Sequence, residues 1–166
     1  MFVKSALDAV AGWVQAVDES RADDEAVLLD IKRSVQADDW SCGAQSAFMI
    51  LRYFGKARSV TAVVQALGTD RDGTSVRQLL DLFRRRRLRP VIMPEATPAD
   101  LRRGIDEGAP AVVSLDDGGH WGVVYGYAPD TIYLADPSLR RAFRVAGSTE
   151  SFCRRWDRWA MVVRRR

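Results

Sequence analysis

The stretch that decides the fold is VQADDWSCGAQSAFMILRYFG, residues 35–55, in which a polar loop runs directly into an apolar segment. Apolar side chains recur in that segment at the spacing of one helical face, at positions 47, 50, 51 and 54. Glycine is the residue type that most often ends a helix in the left-handed conformation, so Gly55 is a candidate helix stop. The pattern predicts a helix that begins at Cys42 and packs one face against a core.

Cys42 stands in the first turn of this predicted helix. The first N–H groups of a helix have no partner inside the helix, and the helix dipole places positive charge there. Because a thiolate is an anion, a cysteine at this position is favoured as a nucleophile. Cys42 is therefore the candidate nucleophile, and a buried structural cysteine at a helix start is the alternative.

A reactive thiol needs a base, and the chain has a single histidine, His120. This residue follows a Gly-Gly turn and opens the run HWGVVYGY, which is typical of a strand. A second predicted strand, residues 131–135, ends at Asp136. If the two strands form a hairpin, Asp136 returns beside His120 and can orient its ring. The alternatives are a structural histidine and an ordinary Asp-Pro turn.

Together these motifs resemble the bacteriocin-processing cysteine peptidases, the double-glycine leader peptidases, which have a papain-like fold. The resemblance rests on a Gln six residues before Cys-Gly, on the helix motif Met-Ile-Leu-x-Tyr-Phe-Gly, and on Gly-His-Trp-x-Val-Val followed by Asp-Pro. It covers residues 32–164 and implies catalysis by Cys42, His120 and Asp136. One position departs from the pattern, because Ser41 stands where many family members carry Asp.

The resemblance also implies roles for residues around the nucleophile. Acyl transfer creates an oxyanion that fixed hydrogen-bond donors stabilise. The family uses a Gln at this offset, which implies that Gln36 and the backbone N–H of Cys42 share that role. Trp40, Gly119 and Trp121 are candidates for contacting substrate, and core packing is the alternative for the two tryptophans. The implied reaction is thiolate attack on an amide carbonyl, with no metal or cofactor.

The order of predicted elements indicates an α+β fold. It combines a helical N-terminal lobe carrying the cysteine with an antiparallel sheet lobe carrying the histidine and the aspartate. We expect an N-terminal helical extension over residues 1–31 and a peptidase domain over 32–166. Besides the helix at Cys42, the predicted helices cover residues 1–16, 59–67, 76–83, 97–108 and 148–155. The predicted strands, in addition to the hairpin, cover residues 90–94, 110–115, 142–145 and 159–163.

Composition excludes several other classes of protein. At 166 residues with 47% hydrophobic residues, the chain has the size and composition of one globular domain. The net charge is only +3, so we interpret the arginine runs 84–87 and 164–166 as solvated surface and expect no nucleic-acid partner. One histidine and two cysteines argue against a zinc site. No apolar run is long enough to span a membrane, and Asp8 interrupts the N-terminal one, so we predict a cytoplasmic protein.

The sequence-based hypothesis is a cysteine endopeptidase that cleaves a peptide bond after a Gly-Gly motif. Three alternatives remain open. One is a stand-alone protease toxin or effector that cleaves a cellular protein and is neutralised by an immunity protein. Another is a non-hydrolytic module that binds leader peptides, and the third is an acyltransferase or isopeptidase that uses the same catalytic residues. The partners implied are a peptide or protein substrate, together with a transporter or an immunity protein.

Overall fold

The computed structural model describes residues 25–138 and 145–166 of the chain. Five helices lie within these ranges: α1 Cys42–Tyr53, α2 Val60–Leu67, α3 Val76–Arg85, α4 Pro98–Asp106 and α5 Thr149–Arg155. Seven strands lie within them: β1 Val27–Leu28, β2 Leu88–Met93, β3 Ala111–Leu115, β4 His120–Ala128, β5 Thr131–Ala135, β6 Val145–Ser148 and β7 Trp156–Arg165.

The predicted helix ends follow from local hydrogen bonding. Ser75 caps α3 in a capping box, since its hydroxyl accepts from the backbone of Gln78 while the Gln78 side chain accepts from the Ser75 N–H. Thr97 and Asp100 form the same arrangement at the start of α4. Gly55, with φ of +70°, lies just beyond α1 in the left-handed region that favours glycine. These boundaries confirm the predicted start of α3 at residue 76 and the stop signal at Gly55.

The strands form one antiparallel sheet in the order β2-β7-β3-β4-β5-β6, with β1 paired to β4 outside this path. β4 and β5 form the expected hairpin, in which Val123 lies opposite Ala135. The hairpin therefore brings the start of β4 close to the end of β5. β3 is buried along its whole length because both of its edges are paired and both of its faces are covered.

Two hydrophobic cores lie on opposite faces of the sheet. On one face, α1, α2 and α3 pack against alternate sheet residues such as Val112 and Val123. On the other face, α4 and α5 cover the intervening residues such as Val113 and Val124. This alternation follows from the two-residue period of strands. The packing on the first of these faces places α1 beside the end of the sheet where His120 begins β4.

The structure corrects the prediction of a helical extension for the part of it that is described. Residues 27 and 28 form β1, and Leu28 lies opposite Gly126 of β4. A Cβ on Gly126 would lie 2.4 Å from Leu28 Cδ2 and 2.7 Å from Val27 O, so only glycine allows this approach. A short apolar run cannot be assigned to helix or strand by periodicity, and here the open edge of β4 decides. The helix predicted over residues 1–16 lies outside the described residues, as do residues 142–144 of a predicted strand.

The second cysteine of the chain, Cys153, is exposed on the surface of α5. Arginines of the two basic runs make individual contacts, for example from Arg86 to Lys56 O at 3.1 Å and from Arg164 to Glu107 at 2.6 Å. Within the described ranges, the helices are too short or too polar to cross a lipid bilayer.

Candidate active site

Cys42 opens α1 and is 8% exposed. The loop before it is held by Asp38, whose Oδ1 accepts hydrogen bonds from Trp40 N at 2.9 Å and Ser41 N at 2.7 Å. This side chain turns the loop so that the chain enters the helix at the cysteine. The position places Cys42 at the positive end of the helix dipole, as the sequence predicted.

Gly43 allows Thr74 and Trp121 to pack closely against the start of α1. A Cβ at this position would lie 2.5 Å from Thr74 Cβ and 3.0 Å from Trp121 Cδ1. The indole Nε1 of Trp121 donates to Thr74 O at 3.0 Å, which links β4 to the segment that precedes α3. The contact from Trp121 uses the backbone carbonyl of Thr74, a group that every residue carries, so residue type alone could not predict it.

His120 and Asp136 meet where the hairpin predicted that they would. His120 Nε2 donates to Asp136 Oδ1 at 2.7 Å, and the side chains are 15% and 1% exposed. Cys42 lies close enough to the same imidazole to help raise the pKa of His120. Since Nε2 is engaged by the carboxylate, Nδ1 is the ring nitrogen left to face the thiol. The structure therefore brings Cys42, His120 and Asp136 into one connected row.

The contacts around His120 and Asp136 determine the charges of these two side chains. Burial lowers the pKa of His120, but hydrogen bonds and charges of Asp136 and Cys42 outweigh burial and raise it to about 9. Burial raises the pKa of Asp136, but hydrogen bonds from His120 and the Ser138 N–H, with the charges of His120 and Arg155, bring it below its ordinary value. The imidazolium and the carboxylate are therefore both favoured at neutral pH.

Gln36 lies in the loop before α1 but is not a loose polar residue, since it is only 8% exposed. Its backbone N–H donates to Pro137 O at 2.9 Å, and its Nε2 donates to Asp38 O at 2.6 Å. A carboxamide nitrogen carries two hydrogens, so this bond uses only one of them. The side chain is thus anchored beside the turn that enters α1.

Arg33, in the same segment, reaches across to the end of β5. Its Nε donates to Asp136 O at 2.7 Å and its Nη2 to Ser138 O at 2.6 Å. Together with the bond from Gln36 to Pro137, these contacts fasten the segment before the nucleophile to the turn that carries the carboxylate. Residues from both halves of the chain are held in register in this way.

A cleft of about 200 Å³ opens beside the thiol. All three of the predicted substrate-contacting residues line it, together with Cys42: Trp40, Gly119 and Trp121. Trp121 also packs edge-on against Trp159, with ring centroids 5.4 Å apart, so it serves both cleft and core. A separate hollow, lined by Pro94 and Trp159 among others, shares Gly118 and Trp121 with this cleft.

A cavity of about 630 Å³ lies elsewhere, between residues 28–33 and strands β4 and β5. Its lining contains neither Cys42 nor His120. We place the chemistry in the smaller cleft because that cleft contains the thiol.

Sequence reasoning missed Arg155, the last residue of α5. Its Nη2 donates to Asp136 Oδ2 at 3.3 Å, while its Nε and Nη2 donate to the two carboxylate oxygens of Asp116 at 2.9 and 3.0 Å. Nothing local in the sequence points to these contacts, since they depend on how α5 packs against the sheet.

The sequence model of the peptidase C39 family matches residues 30–166, most of the chain. The chain belongs to the peptidase C39 family. It is therefore a cysteine peptidase. A search of curated proteins returned no match.

The fold of this C39 peptidase is similar to the folds of several solved structures. A double glycine motif protease from an AMS/PCAT transporter, in complex with the leader peptide, matches with a TM-score of 0.72 and 21% identity over 84% of this chain and 94% of that one. The peptidase domain of Streptococcus ComA matches with a TM-score of 0.69 and 18% identity over 82% and 99%. A C39-like peptidase from Bacillus anthracis matches with a TM-score of 0.71 and 17% identity over 86% and 98%. These likenesses confirm the predicted α+β, papain-like fold.

Proposed function

We propose that this C39 peptidase cleaves peptides after a Gly-Gly motif, with Cys42 as nucleophile, His120 as general base and acid, and Asp136 as the carboxylate that orients the imidazole. The observation that carries the proposal is the row of three side chains: a thiol at a helix start beside an imidazole, and a buried carboxylate 2.7 Å from Nε2 of that imidazole. The row borders a cleft that can receive a peptide.

The reaction begins with transfer of the thiol proton to His120 Nδ1, which forms a thiolate–imidazolium pair. The thiolate attacks the scissile carbonyl carbon, and the carbonyl oxygen becomes an oxyanion. His120 then gives its proton to the departing amine nitrogen, and a thioester on Cys42 remains. Water attacks the thioester, His120 accepts the proton of that water, and the carboxylate product leaves. Throughout, Asp136 holds the Nε2 hydrogen and stabilises the positive ring.

Gln36 and the Cys42 backbone N–H are the proposed oxyanion donors. The N–H of Cys42 belongs to the first turn of α1, where helix N–H groups have no intrahelical partner. The Nε2 of Gln36 keeps one hydrogen beyond the bond to Asp38 O. Because Asp38 also fixes the turn at Trp40 and Ser41, the donor is held rigidly before substrate arrives.

The substrate proposal rests on the shape of the cleft. The indole rings of Trp40 and Trp121 and the backbone of Gly119 border it beside the thiol. Bulky rings on both sides of the thiol favour a substrate with glycine next to the scissile bond. A structurally similar protease binds a leader peptide. We extend that substrate class to this protein, with an exporter of the processed peptide as the partner.

Paired peptides test this substrate class. A fluorogenic peptide with Gly-Gly before the scissile bond should be cleaved at least about tenfold faster than its Gly-Ala counterpart, since an added methyl group in a tight pocket costs that much or more. Cleavage of both peptides at equal rates would contradict the glycine specificity. Profiling of new protein N-termini with wild-type and Cys42→Ala protein would then identify the substrate, including a folded cellular protein if the enzyme acts as an effector.

The pH dependence tests the orienting carboxylate. Imidazolium must be present for amine departure, so kcat/KM should fall as pH rises through about 9, the pKa of His120. Asp136→Asn removes the charge that raises this pKa, and the alkaline limb should move down by roughly 1–3 pH units. The comparison is a pH profile of kcat/KM alongside Asp106→Asn, a surface carboxylate that accepts from Tyr127. An unmoved limb in Asp136→Asn would remove Asp136 from the site.

A further inference from the structure

One guanidinium joins the proposed catalytic carboxylate to the turn that borders the cleft. Arg155 spans Asp136 and Asp116 with its two carboxylate contacts, and its side chain is 24% exposed. Its backbone takes part as well, since Arg155 O accepts from Asp116 N at 2.8 Å. Asp116 is therefore held by Arg155 at both its main chain and its side chain.

The two oxygens of Asp136 have different partners. Oδ1 accepts from His120 Nε2 and from Ser138 N, at 2.7 and 2.9 Å, while Oδ2 accepts from Arg155. A carboxylate contacted at both oxygens cannot rotate without losing a charged hydrogen bond. The contact at Oδ2 therefore fixes the plane in which Oδ1 meets the imidazole.

The other end of the bridge lies in the turn between β3 and β4. Asp116, Asp117 and Gly118 all have positive φ, at 55°, 57° and 81°. Left-handed conformations are unfavourable for residues other than glycine, so such a turn needs support from its surroundings. The fork from Arg155 supplies that support two residues before Gly118, which lines the cleft.

We propose that Arg155 is a positioning residue of this peptidase: it holds Asp136 in the orientation that meets His120, and it fixes the cleft-bordering turn relative to that pair. This inference rests on the proposed roles of Cys42, His120 and Asp136. Arg155 does not line the cleft beside the thiol, and it acts through the two carboxylates.

The geometry explains why arginine is required here. Asp136 is 1% exposed, and burial alone favours its neutral form. Charged groups around it come from several elements: His120 of β4, Arg155 of α5, Asp116 of the turn, and Arg33, which contacts its backbone oxygen. Arginine can serve two carboxylates at once because its donors are arranged as a planar fork.

Alkylation of Cys42 by iodoacetamide as a function of pH tests the proposal without a known substrate. The reaction reports the thiolate that the imidazolium stabilises. The exposed Cys153 is first replaced by serine, so that labelling reports Cys42 alone. In Arg155→Met we expect the rate at pH 6 to fall about tenfold, as for a shift of one pKa unit. Arg155→Lys, which keeps the charge without the fork, should fall between Arg155→Met and wild type.

Arg154→Met is the matched control, because Arg154 is the preceding residue and, among the residues that the structure describes, donates to Glu150 and Ser151 of its own helix. It should label at the wild-type rate. The labelling rate of Asp136→Asn at pH 6 should fall at least as far as that of Arg155→Met. If Asp136→Asn labels normally at pH 6, the proposed triad fails. If Asp136→Asn slows but Arg155→Met labels like Arg154→Met, the role of Arg155 fails. If Arg155→Met does not fold by circular dichroism, Arg155→Lys decides, and a wild-type rate there overturns the proposal.

Discussion

Replacing Cys42 with alanine is expected to lower kcat on a cleavable Gly-Gly peptide by about 10⁶-fold, which is the loss seen when the nucleophile of a comparable triad is removed. The reason is that alanine offers no atom for attack, so the acyl-enzyme route closes entirely. What remains is the weak acceleration that binding and the oxyanion donors provide. His120→Ala should be nearly as severe, because the two residues act as a unit.

The measurement is single-turnover cleavage with purified protein, followed by mass spectrometry. Cys42 is small and lies at the helix start, so its alanine variant should melt close to the wild-type temperature. Cys153→Ser is the control, since Cys153 is an exposed residue of α5. Residual cleavage by Cys42→Ala above about one hundredth of the wild-type rate would mean that another group is the nucleophile.

Gln36→Ala is expected to lower kcat by about 10²–10³-fold with little change in KM, because one oxyanion donor is worth roughly 2.7–4 kcal/mol in the transition state. Gln36→Glu should be at least as damaging. A carboxylate of nearly the same size would place negative charge beside the developing oxyanion and would lack a donor.

The structure also requires a stability control for this prediction. Gln36 is buried and donates to Asp38 O, so its removal should cost some stability as well as activity. Gln45→Ala is a matched control, since Gln45 is equally buried at 7% exposure and accepts a hydrogen bond from Ser34. We expect both alanine variants to melt earlier, but only Gln36→Ala to lose kcat. Equal kcat losses would leave the oxyanion donor to be found elsewhere.

Local chemistry explains why much of the arrangement could be predicted. The helix at Cys42 has an amphipathic pattern and a glycine stop, and both depend on neighbouring residues alone. The meeting of His120 and Asp136 follows from a hairpin whose strands are separated only by Pro129 and Asp130. Short-range signals of this kind survive folding because tertiary contacts reinforce them.

Contacts between distant segments could not be predicted in this way. Arg155 reaches Asp136 because α5 packs against β5, and no periodicity records that packing. The segment at Val27 became a strand because Gly126 leaves space at the edge of β4, a property of the partner and not of the segment. Gln36 was predicted to be an oxyanion donor, but its burial was not, because the Asp-Pro turn that helps to bury it lies at the distant end of β5.

The position of β7 between β2 and β3 affects how the enzyme folds during its synthesis. β2 and β3 precede β7 by many residues, and Leu88 finds its partner only at Arg165. During synthesis on the ribosome, β2 and β3 therefore each keep the edge that pairs with β7 unpaired until residues 156–165 have emerged. Pairings this distant in sequence form late and raise the risk of aggregation while the nascent chain is incomplete. Proteolytic activity should accordingly appear only after translation passes β7, so that unfinished chains do not cleave other proteins.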